Sequence, residues 1–442
     1  MNLLRPQLIH GRRLAAAWAA AVFCAVLSAQ SFAVEVREVA GPPLVKTWLA
    51  EEHSVGVVAL QIVFEGGGLQ DAKGKEGLTS MMADLMLEGA GPFSAEDISE
   101  TLAKAGARAA FGVTRDAISF SLSAPSNTID TLGKVVREVL ARPRFNAESL
   151  SRLRAQRRAE LKRDAANPSK RIVKRWFEVA FQGSDYARDP SGSEAGITGL
   201  ATKDLQMQHR RLFARDVARV VVVGDISPAN AARLVDEILG GLPANAELVK
   251  IAPTVPTVQA KADAERSSHA VGVAAFGFPG LPRRHPDYAA LRVLNHILGS
   301  GDFDCVLMDE LRVKRGLTYS VQTALLNDTV SSLVFGTFAT KPERLAEAVA
   351  ILKETIARVA RDGLSDAQVE ASRAYIVGSQ LLDIDTSNRL ASFVMDFLRE
   401  GAKPDNIGTR IESVRRVTAQ DVARLSRSLL DPDKLVVTSS GP

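Results

Sequence analysis

The chain has 442 residues, 46% hydrophobic and 24% charged, with a net charge of +4. That length allows roughly two to four domains, each with its own core. Three of the positive charges, Arg5, Arg12 and Arg13, fall in the first 33 residues with no acid beside them. The remainder therefore carries only +1, which gives no electrostatic case for nucleic acid.

Those first residues read as an export leader. The arginines form a basic start, Leu14 to Leu27 is an apolar run, and Ser31-Phe32-Ala33 fits a small-x-small cleavage site. The expected domain plan begins with this signal peptide, 1–33, and the expected compartment is a bacterial periplasm. Cys24 follows Phe23, a poor match to a lipid-attachment site, which wants a small residue there. Cys305 is then the sole cysteine of the exported chain, so no intrachain disulfide is expected despite an oxidising compartment. Acidic neighbours, Asp302 and Asp304, disfavour a Cys305 thiolate. No later stretch reaches the roughly 18 consecutive apolar residues of a spanning helix.

Val55 to Glu65 reads as an apolar strand. A glycine-rich turn, Gly66 to Asp71, leads to the segment GLTSMMADLMLEG, Gly77 to Gly89. Ala107 to Ala124 reads as a hairpin, because Ile118 to Leu122 alternates with period two. Phe145 to Gly183 reads as a capped helix, a break at Asn167-Pro168, and a second amphipathic helix. The basic run Arg152, Arg154, Arg157, Arg158, Lys162 and Arg163 lies on the first of these helices and reads as a solvated face. Val217 to Val223 closes this part as a strand. Leu248 to Lys261, with Pro253 and Pro256, has no helical period and reads as a linker.

The pattern then repeats. Ala270 to Phe278 and Lys434 to Thr438 read as strands, and Leu364 to Gly401 repeats the helix, break and helix. Thr202 to Leu205 parallels Thr418 to Val422, and Arg219 to Gly224 parallels Leu435 to Gly441. Asp204 and Asp421, like Gly224 and Gly441, are 217 residues apart. A constant shift with only two copies means a duplicated domain. The expected fold is α+β: two homologous halves, 34–247 and 262–442, joined by the linker 248–261. Each is an antiparallel-rich mixed sheet with helices on one face.

Histidine chemistry is not visible. His53, His209, His269 and His285 are scattered, and His296 sits at an apolar helix end as a core or capping residue. No G-x-S-x-G elbow is present.

The segment from Gly77, with the preceding Lys75-Glu76-Gly77-Leu78 entry, resembles the zinc-binding helix of the pitrilysin/insulinase peptidases, where Gly-Leu leads into His-x-x-Glu-His. The resemblance covers essentially the whole exported chain and implies a clam-like metallopeptidase fold. It places Ser80, Ala83 and Asp84 where the family has its two zinc histidines and its general base, and Glu160, 76 residues after Asp84, at the third ligand. Serine is a poor ligand and alanine no base, so these are degenerate positions, expected to be structural or solvated, and the chain itself is expected to bind no metal or other cofactor. Ala110 likewise stands where active members have an asparagine that holds substrate backbone.

The segment DELRVKRGLTYSV, Asp309 to Val321, does match. Arg312 and Tyr319, six residues between them, fit the family's Arg/Tyr pair; Arg315 is the competing cation but has the wrong spacing. In two-chain members this pair acts on the zinc site of the other subunit. The resemblance therefore implies the non-catalytic subunit of a heterodimeric zinc endopeptidase, with zinc in a homologous partner subunit and peptides as substrates. The alternatives are an inactive peptide-binding or assembly protein of the same fold, and an independent enzyme with a rebuilt metal site.

Overall fold

Among the described residues, eleven strands form two sheets. The first contains β1 (Val36–Val39), β2 (Lys46–Glu51), β3 (Val57–Glu65), β4 (Arg108–Val113), β5 (Ala117–Pro125) and β6 (Ala218–Gly224), in the order β1-β2-β6-β3-β5-β4. The second contains β7 (Asp263–Arg266), β8 (Gly272–Pro279), β9 (Thr318–Asn327), β10 (Ser332–Thr340) and β11 (Val436–Gly441), in the order β7-β11-β8-β10-β9. The computed structural model describes residues 35–257, 263–266, 270–301, 304–382 and 384–441. The expected leader, 1–33, lies outside these, as does the end of the expected linker, 258–261.

The duplication is visible in the topology. β2 runs parallel to β6, and β7 parallel to β11, while every other pair is antiparallel. Apart from β1, the two sheets share strand order and strand direction. The shift of 217 residues carries Lys46, the first residue of β2, onto Asp263, the first of β7. The strands begin within two residues of the expected positions, and Lys434 falls in a turn before β11.

Helix entry also repeats, with one adjustment. Thr418 and Asp421 form a reciprocal capping box at the helix Ala419–Leu429. Its counterpart is Ala201, not Thr202: the Ala201 amide donates to Asp204 Oδ2 at 2.9 Å, and alanine has no side chain for the other half of the box. Thr202 instead donates its hydroxyl to the Phe145 carbonyl at 3.1 Å.

Each sheet has both faces covered. On the first, Leu60, Ile62, Phe64, Phe120 and Val222 pack against helices carrying Leu85, Leu132 and Ile238. On the second, Phe276 and Phe278 pack against Leu291, Leu352 and Ile356. The opposite faces are covered by exchange. The helix Pro168–Ala180 crosses to the second sheet, where Ile172, Trp176 and Phe177 bury themselves against Val273, Ala275, Leu333 and Val436. The helix Ser387–Arg399 crosses back onto β3 and β6. Trp176 is fully buried and its Nε1 donates to the Val436 carbonyl at 3.0 Å. Gly277 is the residue beneath it: a Cβ there would stand 2.7 Å from the indole.

The hairpin turns of the two sheets also meet. Arg399 donates to Glu65 at 3.3 and 3.1 Å and to Asp116 at 3.1 Å. Asp116 accepts the Thr329 amide at 2.7 Å, and the Tyr186 hydroxyl donates to Asp328. Burial, reinforced by the nearby Asp116 charge, pushes the Asp328 carboxyl upward. The described part of the expected linker has no helix or strand but is tied down: Val249 exchanges two hydrogen bonds with the Gln70 amide, and Thr254 donates to the Val330 carbonyl at 2.8 Å.

Candidate functional site

The degenerate segment is a helix, Leu78–Leu85, entered through Gly77 at φ 94°, a left-handed value that favours glycine. Asp71 holds its first turn. One carboxylate oxygen accepts the Gly77 amide at 2.8 Å, and the other accepts the Thr79 amide and hydroxyl at 2.9 and 2.5 Å. Burial outweighs these bonds and pushes the Asp71 carboxyl up to about 6.

The side chains on this helix are committed elsewhere. Ser80 Oγ donates to the Pro190 carbonyl at 2.6 Å, and Ala83 is buried. Asp84 and Glu160 do approach a common point, but a guanidinium fills it. Arg157 is ion-paired with Asp84 and stands 3.3 Å from Glu160. The cation required between two carboxylates is thus supplied by the protein. With one hydroxyl donated to a carbonyl, no imidazole and both carboxylates paired, these residues do not fit a zinc ion. Among the described residues, no group of three or more histidine, cysteine or acidic side chains could hold a metal.

Arg157 is the residue that sequence reading missed here. The basic run containing it is a largely solvated face, as expected, but most of its cations have partners. Arg152 pairs with Glu88 at 2.5 Å, Arg154 donates to the Leu200 carbonyl at 2.5 Å, and Arg158 and Lys162 reach Glu194 at 2.8 and 3.7 Å. The available signal was the placement of Arg157 one helical turn before Glu160. Ala110 lies on β4, the outer strand of the first sheet, paired with Ser121 on β5. Its methyl group offers nothing to hold a substrate backbone.

The second cluster is of another kind. Arg312 lies in the turn Asp309–Val313, and Tyr319 follows at the start of β9, the outer strand of the second sheet. Gly316, at φ 60°, reverses the chain between them, and its amide bonds back to the Arg312 carbonyl at 2.9 Å. The Arg312 guanidinium carbon stands 4.8 Å from the centre of the Tyr319 ring, in cation–π contact. Tyr319 is 80% exposed. Both line a cavity of about 330 Å³ with Gly299, Ser300 and Met308.

Arg315, the competing cation, is engaged elsewhere. It pairs with Glu310, which also receives Lys314 at 2.8 Å and Arg358 at 3.0 Å. His296 forms a hydrogen bond with Ser372 Oγ at 3.0 Å and packs on Tyr375. Cys305 is buried. The helix Leu78–Leu85 packs in the first half and the Arg312/Tyr319 pair lies in the second.

Two family models account for most of the sequence. Residues 46–191 match the insulinase domain of peptidase family M16, and residues 200–376 match the peptidase M16 inactive domain. The chain belongs to the M16, or insulinase, family. Over 376 residues it is 20% identical to a non-peptidase homolog, YmxG, of Helicobacter pylori, covering 84% of this chain and 86% of that one. Over 363 residues it is 22% identical to the zinc protease PqqE of the same organism, covering 78% and 79%. The crystal structure of a peptidase M16 inactive domain from Pseudomonas fluorescens has the same fold, with a TM-score of 0.86 at 22% identity over 92% of this chain and 98% of that one. Within M16 the chain resembles the inactive members: its second part matches the inactive-domain model, and a non-peptidase homolog is among its relatives.

Proposed function

We propose that this chain is the non-catalytic subunit of a heterodimeric zinc endopeptidase, lending Arg312 and Tyr319 to the active site of a homologous, zinc-bearing partner. The observation that carries this reading is the contact of a half-buried Arg312 with an exposed Tyr319 beside an open cavity, in a chain where Arg157 pairs with both Asp84 and Glu160. An aromatic ring left 80% exposed has little structural use where it stands. Resemblance to both a non-peptidase homolog and a zinc protease of one organism is what a division between two subunits would produce.

In this reading the partner's zinc supplies the activated water. The residues of this chain act on the substrate. The Tyr319 hydroxyl donates to the oxyanion as it forms, and the Arg312 fork holds a substrate carbonyl or carboxylate. Removing one such donor costs about 10²–10³ in turnover. The substrates are short or unfolded peptides, and the assembly is exported to the periplasm after removal of residues 1–33, with 34–247 and 262–442 as its halves.

The test is co-expression with an exported M16 relative bearing a complete His-x-x-Glu-His. The pair should co-purify and cleave peptides, each chain alone should not, and Tyr319→Phe should cut turnover without dissociating the pair. Full activity of the Tyr319→Phe pair would remove the assigned role.

A second reading, a peptide-binding or assembly protein without catalysis, rests on the outer strands β4 and β9, which each end a sheet and can accept an extended chain. It predicts peptide binding by the isolated chain that no zinc-bearing relative turns into cleavage.

A further inference from the structure

Away from both clusters, a cavity of about 470 Å³ opens in the second half, beside the helix Tyr288–Asn295. Four arginines line it: Arg283, Arg284, Arg292 and Arg410. Two acids reach them. Arg283 pairs with Asp396 at 2.5 Å and with Glu400 at 3.3 Å, and Arg410 pairs with Glu400 while lying 3.8 Å over the Phe397 ring. Two positive charges are left over.

One of these belongs to Arg292, which makes no hydrogen bond or ion pair among the described residues. Its Nη1 is fully buried with no acceptor. Burial and the neighbouring Arg410 and Arg283 charges both work against the guanidinium, which the phenol of Tyr288 offsets only in part. A largely buried guanidinium with an unused donor and no acid beside it favours an anion in the cavity. Arg284, exposed at the rim, has no acidic partner either.

We propose that this cavity is a binding site for a small phosphomonoester, held through its phosphoryl group by Arg292 and Arg284. The charge decides the class. Two uncompensated guanidinium groups match the nearly double charge of a phosphate monoester near neutral pH, whereas a carboxylate brings only one. Planar guanidinium forks fit phosphate oxygens in pairs. The volume exceeds what a bare phosphate needs, and Tyr288 and Phe397 supply apolar wall for the organic part of the ligand. The site shares no residue with Arg312 or Tyr319 and does not depend on the partner proposed above.

The experiment is titration of the purified chain, in phosphate-free buffer at constant ionic strength, with phenyl phosphate, inorganic phosphate and benzoate. Phenyl phosphate should bind saturably and raise Tm, inorganic phosphate should bind at least tenfold more weakly, and benzoate should not bind. In Arg292→Met the phenyl phosphate response should disappear, while Arg344→Gln, on a distant exposed pair with Glu347, should keep it. Phosphorus NMR line broadening on the wild type reads binding independently of any variant. Absence of broadening overturns the proposal, as does undiminished binding by Arg292→Met. Equal responses to phenyl phosphate and benzoate would overturn the phosphoryl assignment.

Discussion

Arg157 is ion-paired with Asp84, so a guanidinium holds the carboxylate near the end of the helix Leu78–Leu85. At the positions that the proposed function takes for the family's metal site, a cation of the chain itself joins Asp84 to Glu160. Restoring the motif with Ser80→His, Ala83→Glu and Asp84→His should not suffice, because Arg157 keeps its pair with Glu160 and its charge repels Zn²⁺. Adding Arg157→Ala should release Glu160 as third ligand. Zinc content and calorimetry should show stoichiometric zinc in the four-fold variant and at least tenfold weaker binding in the triple variant.

Tyr319 should be neutral for folding. Tyr319→Phe removes one hydroxyl from a ring that is largely in solvent, so the unfolding free energy should change by less than about 0.5 kcal/mol. Chemical denaturation checks this, and the result ensures that any loss of turnover in the assembled pair is a loss of chemistry.

Trp176 should be the opposite case. It fills the space over Gly277, and its indole N–H satisfies the Val436 carbonyl of the other half. Trp176→Ala opens a large cavity between the halves and should cost about 3–5 kcal/mol. Equilibrium denaturation should show this loss over the whole cooperative transition.

Two buried groups should oppose each other in the pH dependence of stability. His209 is stacked on Phe213 and bonded to the Leu140 carbonyl at 2.8 Å, and burial holds its imidazole down at about 4. In the unfolded chain it titrates near about 6.5. Its contribution is therefore complete above that pH and is lost as pH falls towards about 4, up to roughly 3 kcal/mol. Asp71 is raised to about 6, so the folded chain keeps a proton that the unfolded chain releases near about 4. Stability from this group falls as pH rises between those values, again by roughly 3 kcal/mol. His209→Gln should leave a curve that declines from pH 4 to 6, and Asp71→Asn one that climbs. Denaturation midpoints across that range separate the two slopes.

The architecture was legible where it is written in local periodicity. The alternation of Ile118 to Leu122 gave the hairpin, Asn167-Pro168 gave the helix break, and the 217-residue shift gave the duplication. What could not be read was the choice of long-range partner. Ile172, Trp176 and Phe177 mark an apolar helix face, but no periodicity says which sheet it covers. Arg157 reads as one more cation in a basic run, because its partner Asp84 lies 73 residues earlier in the chain. Arg292 was the exception that left a trace: a single charge within the apolar stretch Tyr288 to Gly299.

The reciprocal crossing of Pro168–Ala180 and Ser387–Arg399 has a consequence for how such a chain could arise. A single ancestral half would have had an apolar helix with no sheet of its own to cover and a sheet face left bare. Two copies related by a twofold axis would satisfy both needs at once by trading helices. The chain has the form of that swapped dimer fused end to end. Divergence of the two copies is then limited by the helix exchange that holds them together, because each buries its apolar helix on the other's sheet.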